Sequence, residues 1–157
     1  MPNTNLIIGL GSPHGDDRVG WEVIHALGDL GAQSPSVLIS VVSQPWDLLN
    51  HFQSQDLAVL VDACVTGQSP GTIIEVDVDD LKQYPRSRSS SHGSTVPEAI
   101  EMAAALGTCP KRFVILGIEV AAWKPDSPLT PAVKHAIPRA AQRIVHLLAP
   151  LFQDERS

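Results

Sequence analysis

The chain has 157 residues, enough for one well-buried core and with no sign of a second, so a single domain over 1–157 with an ordered core from about 5 to 150 is expected. Lysine and arginine total 11 against 17 acids, for a net charge of −6, which sets the long-range field against nucleic acid and anionic membrane surfaces. Cys64 and Cys109 form neither a C-x-x-C metal motif nor a secreted disulfide framework, the N-terminus lacks a basic signal region, and every apolar run is shorter than a membrane span; a cytoplasmic chain is expected.

The chain opens on an apolar strand containing Ile7 and Ile8 that breaks into Gly9-x-Gly11 and then into Asp16-Asp17 at the head of a helix. A dinucleotide fingerprint would need a third glycine where His14 stands, and two carboxylates at a helix N-terminus repel a phosphate and attract a cation. Val19, Val23, Ala26, Leu27 and Leu30 recur at helical spacing, ending near Gly28 to Gly31. Residues 36–42 are β-branched and read as the second strand, followed by a short helix from Pro45 through Leu48, Leu49 and Phe52. Leu57 to Val61 is fully apolar and therefore a central strand, stopping at Asp62.

The stretch from Cys64 to Gly71 is too short for a helical crossover, so the fourth strand, 72–76, is expected to run antiparallel to the third. Residues 84–95 turn to Pro, Arg and Ser and form a loop by composition, carrying His92. A helix over 97–106 follows, with proline in its first turn and Gly107 at its end; a fifth strand over 113–118 ends at Glu119. The last helix spans about 131–148, where Pro138 predicts a kink or a broken first segment. This alternation gives an α/β fold, a three-layer α/β/α sandwich on a mostly parallel five-stranded sheet with one antiparallel strand.

In such sheets ligands bind beyond the carboxyl ends of the strands. If strands one, three and five are parallel, Asp16, Asp17, Asp62 and Glu119 share one edge, and the His92 loop leads into the third helix beside it. Taken singly, each reads as ordinary: Asp16 and Asp17 as first-turn acids, Asp62 as a turn former, His92 as a solvated loop histidine, Glu119 as a rim carboxylate. Together, two carboxylates and an imidazole make an O, O, N donor set suited to a borderline divalent cation. Neither cysteine has a sequence-near base, G-x-S-x-G is absent, and His14 is a secondary candidate.

Gly9-x-Gly11, Asp16-Asp17-Arg18-Val19-Gly20, Val61-Asp62-Ala63, Ser90-Ser91-His92 before a helix and Gly117-Ile118-Glu119, in this order and spacing, resemble the hydrogenase maturation endopeptidases. The resemblance covers nearly the whole chain, from Leu6 to the last helix. It implies the α/β/α fold and a metal site of Asp17, Asp62 and His92; beside these, Glu119, Asp16 and His14 are candidate substrate contacts, with Asp16 read as the helix cap. It also implies an aspartyl-type endopeptidase that removes the C-terminal extension of a nickel-iron hydrogenase large-subunit precursor. It further implies that no cofactor is permanently bound and that the nickel carried by the precursor is what is recognised. The chain departs from the family pattern at Ser12, at Asp17 where some members have glutamate, at Ser43-Gln44-Pro45-Trp46 and at Val120, and Trp46 with Arg86 or Arg88 is a candidate lining of the precursor surface.

Two other readings stand beside this one: a non-catalytic nickel-binding maturation chaperone using the same three ligands, and a self-sufficient metallohydrolase with its own zinc. A peptidyl-tRNA hydrolase begins with a similar strand and glycine loop, but the acidic pair and the net charge of −6 disfavour tRNA.

Overall fold

A computed structural model describes residues 4–77, 95–121, 124 and 126–154, with side chains described as far as residue 149. Five strands, β1 (Asn5–Leu10), β2 (Val37–Val42), β3 (Leu57–Cys64), β4 (Ile73–Asp77) and β5 (Arg112–Glu119), form one sheet in the order β2-β1-β3-β5-β4. β1 pairs in parallel with β2 and β3, β3 pairs in parallel with β5, and β4 alone runs antiparallel, on β5. That is the expected fold class, and the antiparallel edge follows from the short β3–β4 connection.

Alternate residues of the central strands feed two cores. Ile7, Val59, Val61, Val114 and Leu116 join the layer formed by α1 (Val19–Asp29) and α3 (Pro131–Asp154). Leu6, Ile8, Leu60, Phe113 and Ile115 face α2 (Val96–Leu106) and the 3-10 helix Pro45–Asn50. Both faces are covered, which is why β1 and β3 are apolar without alternation. Val19, Val23 and Leu27 on α1 and Val133, Ala140 and Ile144 on α3 are fully buried, and each large apolar side chain so placed contributes about 1.5–3 kcal/mol. On the opposite face the Phe52 and Phe113 rings meet edge to face, with centroids 5.5 Å apart.

Helix α1 lies unusually close to the sheet. A Cβ on Gly9 would sit 2.4 Å from the Gly20 carbonyl oxygen, and one on Gly20 would sit 2.3 Å from Leu10 O and 2.8 Å from Val61 O. Gly9 in β1 and Gly20 in α1 therefore serve close backbone approach, which brings the head of α1 against the carboxyl ends of β1 and β3. Helix α2 is held at its start by a capping box: Glu98 N–H donates to Thr95 Oγ1 (3.3 Å) and Thr95 N–H to Glu98 Oε2 (3.4 Å). It ends at Gly107, as expected, with φ +74°.

Beyond shifts of one residue, three boundaries differ from the sequence reading. β3 continues through Asp62 to Cys64, because Asp62, Ala63 and Cys64 keep pairing with Gly117, Ile118 and Glu119. The segment after β2 is 3-10 and stops at Asn50, with buried Phe52 beyond it. α3 is one helix through Pro138, not a broken pair, and it reaches Asp154. Among the described residues no helix is long and apolar enough to cross a membrane.

Candidate active site at the carboxyl edge of the sheet

The loop leaving β1 is folded tightly on itself. Gly11 N–H donates to Val42 O, Ser12 N–H to Asp17 O (3.2 Å) and Asp17 N–H to His14 O (3.1 Å), closing residues 12–17 into a compact turn over the sheet end. Gly15, with φ +54°, admits the reversal that starts the one-turn 3-10 helix Gly15–Arg18, and α1 begins directly after it. This turn packs against β3, and a Cβ on Gly11 would lie 2.6 Å from the Asp17 carbonyl oxygen. Asp17, 4 % exposed, and Asp62, fully buried in β3, are thus brought to the same edge of the β1–β3 pair.

The two other acids at this edge hold the chain together. Asp16 is fully buried and caps neither helix; its Oδ1 accepts from Thr130 N–H (2.7 Å) and its Oδ2 from Ala121 N–H (3.1 Å) and the Thr130 hydroxyl (2.8 Å). The expected cap is instead a bond across the fold to the segment joining β5 to α3. Glu119 is 2 % exposed, no rim group, and its carboxylate accepts from the backbone N–H of Thr66 and Gly67 and the Thr66 hydroxyl, with Cys64 Sγ donating at 3.6 Å. Burial pushes the Glu119 carboxyl up, but those hydrogen bonds outweigh it and hold the group below the usual carboxylate range. Burial and the Glu119 charge push the Cys64 thiol far above its ordinary range, so it is no thiolate nucleophile.

His14 is half-buried in the same turn, with its backbone N–H 3.4 Å from Ser12 Oγ. His92, Arg86 and Arg88 lie outside the described residues. Among the described residues no group of three His, Cys, Asp or Glu is placed to hold a metal ion. Trp46 is 45 % exposed, just beyond the carboxyl end of β2, with Val65 at 41 % just beyond that of β3. Sequence reasoning missed Thr130 and Thr66, the donors that fix the two buried clamps. A threonine before Pro131 at a helix start was the only local signal for the first.

The arrangement is that of an α/β/α domain with acids gathered at the carboxyl edge of its parallel strands, and its fold is similar to that of the hydrogenase-maturating endopeptidase HybD from E. coli, with a TM-score of 0.76 at 20% identity over 96% of this chain and 93% of that one. The sequence matches the hydrogenase maturation protease family over residues 22–147, a stretch that includes Asp62, His92 and Glu119. The chain belongs to that family of peptidases. It is 26% identical over 148 residues to the hydrogenase expression/formation protein HupD of Thiocapsa roseopersicina, covering 92% of this chain and 67% of that protein. To HupD of Bradyrhizobium diazoefficiens it is 29% identical over 106 residues, covering 65% and 54%. The chain therefore spans between about half and two thirds of the length of these two relatives.

Proposed function

We propose that this chain is an endopeptidase that removes the C-terminal extension from the precursor of a nickel-iron hydrogenase large subunit, and that it recognises the nickel the precursor already carries. Asp17, Asp62 and His92 dock onto that ion, which sets the scissile peptide beside it. The observation that carries this reading is the burial of two carboxylates, Asp17 and Asp62, at one sheet edge in a member of the hydrogenase maturation protease family. Two carboxylates gathered at one sheet edge concentrate negative charge there, which suits a site that meets a cation. The donor chemistry suits nickel as part of the substrate: two hard oxygens and one imidazole match a borderline divalent ion.

In this reading the chain's own contribution is placement. The closed turn of residues 12–17 and the β3 backbone fix the two aspartates on rigid elements, so docking orders the peptide without reordering the protein, and holding reacting groups in place converts binding into rate. The bound ion supplies Lewis acidity at the scissile carbonyl. The test is to incubate the purified chain with nickel-loaded and with nickel-free precursor and read the precursor mass. Loss of a C-terminal segment only from the loaded form, abolished by Asp17→Asn, Asp62→Asn or His92→Ala, is expected. An unchanged precursor mass refutes the endopeptidase, and equal cutting of both forms refutes nickel recognition.

A further inference from the structure

The geometry points to Asp16 as a positioning residue that acts on the reaction through Asp17. This rests on the function proposed above and adds a residue to its machinery. Adjacent residues of a 3-10 turn project about 120° apart, so Asp16 and Asp17 cannot face the same partner. Asp16 is fully buried, and its carboxylate receives three donors from residues 121 and 130, each within 3.1 Å at its nearer oxygen. Those donors are anchored in turn. Thr130 stands at the head of α3, where its carbonyl accepts from Lys134 N–H (2.9 Å), and Ala121 follows β5, where Val120 N–H donates to Cys64 O.

Gly15 adds a second fastening. A Cβ there would lie 2.6 Å from Ser127 Oγ and 3.3 Å from Lys124 O, so the turn is pressed into the same segment that Asp16 grips. The 3-10 turn is thus held on one side by the β5–α3 connection and on the other by Gly11, which abuts the Asp17 carbonyl. With the backbone of the turn pinned from both sides, the point from which the Asp17 side chain departs is set. Removing the Asp16 grip leaves Asp17 chemically intact on a turn with one fastening fewer. Losing a partner that orients a ligand of an ion costs about 10–100-fold in affinity or activity.

The experiment is a double-substitution cycle on the full chain, with Ni2+ titrated calorimetrically and precursor processing followed by mass, at a temperature where circular dichroism shows every variant folded. Asp16→Asn, which turns an acceptor into a donor facing N–H groups, is expected to lower Ni2+ affinity and processing kcat/KM together by about 10–100-fold. In an Asp17→Asn background, where processing is already abolished, the same substitution should change the remaining Ni2+ affinity by less than about twofold, because its effect passes through Asp17. Thr130→Val should act in the same direction by a smaller factor, and Thr130→Ser, which keeps the hydroxyl, should restore wild-type values.

Equal and multiplying losses in both backgrounds mean that Asp16 merely stabilises the fold, and they overturn the inference. A folded Asp16→Asn protein with wild-type Ni2+ affinity and processing overturns it as well. If Asp16→Asn does not fold, the Thr130→Val and Thr130→Ser pair decides, wild-type behaviour of the valine variant being the refuting result. Should the wild-type chain bind no free Ni2+, processing by the Asp16→Asn and Thr130 single variants decides, a wild-type kcat/KM in Asp16→Asn being the refuting result. Asp17→Asn processing at the wild-type rate would instead sink the function on which the inference rests.

Discussion

Gly20 offers the sharpest test of how the site is built. In Gly20→Ala the new methyl carbon would lie 2.3 Å from Leu10 O and 2.8 Å from Val61 O, both backbone atoms of the two central strands. Neither can swing aside as a side chain would, so helix α1 must lift. Overpacking costs about 1–3 kcal/mol, and the backbone nature of both obstacles places this substitution at the top, about 3 kcal/mol. Alanine returns at most about 1 kcal/mol of helix propensity. The net loss of about 2 kcal/mol corresponds to a Tm fall of about 4–8 °C for a domain of this size. Gly28→Ala is the control: it lies in the same helix, with nothing within 4 Å of its added carbon, and should gain about 0.5–1 kcal/mol. Urea melts with unchanged slope read both. If Gly20→Ala matches Gly28→Ala in sign, the close approach of α1 to the sheet does not have the consequence argued here.

Other outcomes follow from the buried clamps and the surface. Glu119→Gln removes the charge that gathers Thr66, Gly67 and Cys64, and should cost about 1.5–3 kcal/mol at neutral pH. Because the folded pKa of Glu119 is depressed, its charge contributes stability above the unfolded carboxylate pKa that is lost as pH falls through the folded one; the wild type should lose its advantage over Glu119→Gln in acid melts below about pH 4.5. Iodoacetamide at pH 8 should modify half-buried Cys109 in the native protein and reach Cys64 only after unfolding, with peptide mass mapping as readout; rapid native labelling of Cys64 would contradict its burial. Arg143→Met breaks a bidentate but partly exposed pair with Glu75, and a calorimetric loss above about 1 kcal/mol, or one insensitive to salt, would be out of line with a surface ion pair.

Much of the fold was legible because hydrophobic pattern and loop length are local signals. Leu57 to Val61 reads as central since both its faces are covered, and the eight residues from Cys64 to Gly71 leave no room for a crossover helix, which forces β4 antiparallel. The candidate acids were legible for the same reason, since each follows or ends an apolar run. What each acid does was not. Asp16 resembles a helix cap in sequence because its actual partners lie 105 and 114 positions away. Glu119 resembles a rim group because its donors belong to the turn after another strand. The polar Asp62 mimics a strand end, and only the pairing with Gly117 shows that the ladder runs on. Pro138 carried a strong local signal that the helix overrode, since the apolar face through Val133, Ala136, Ala140 and Ile144 packs on both sides of it.

The bonds from Asp16 to Ala121 and Thr130 also bear on when the protein can become active. A chain still emerging from the ribosome could pair β1 with β2 and β3, yet Asp16 would lack its Thr130 donors until residue 130 had been made. Competence therefore arrives late in synthesis, and closing so long a loop makes it a slow, non-local step. A nascent or C-terminally clipped chain lacking residues past 120 would carry Asp17 and Asp62 without the Asp16 bonds that, in the inference above, hold the turn bearing Asp17.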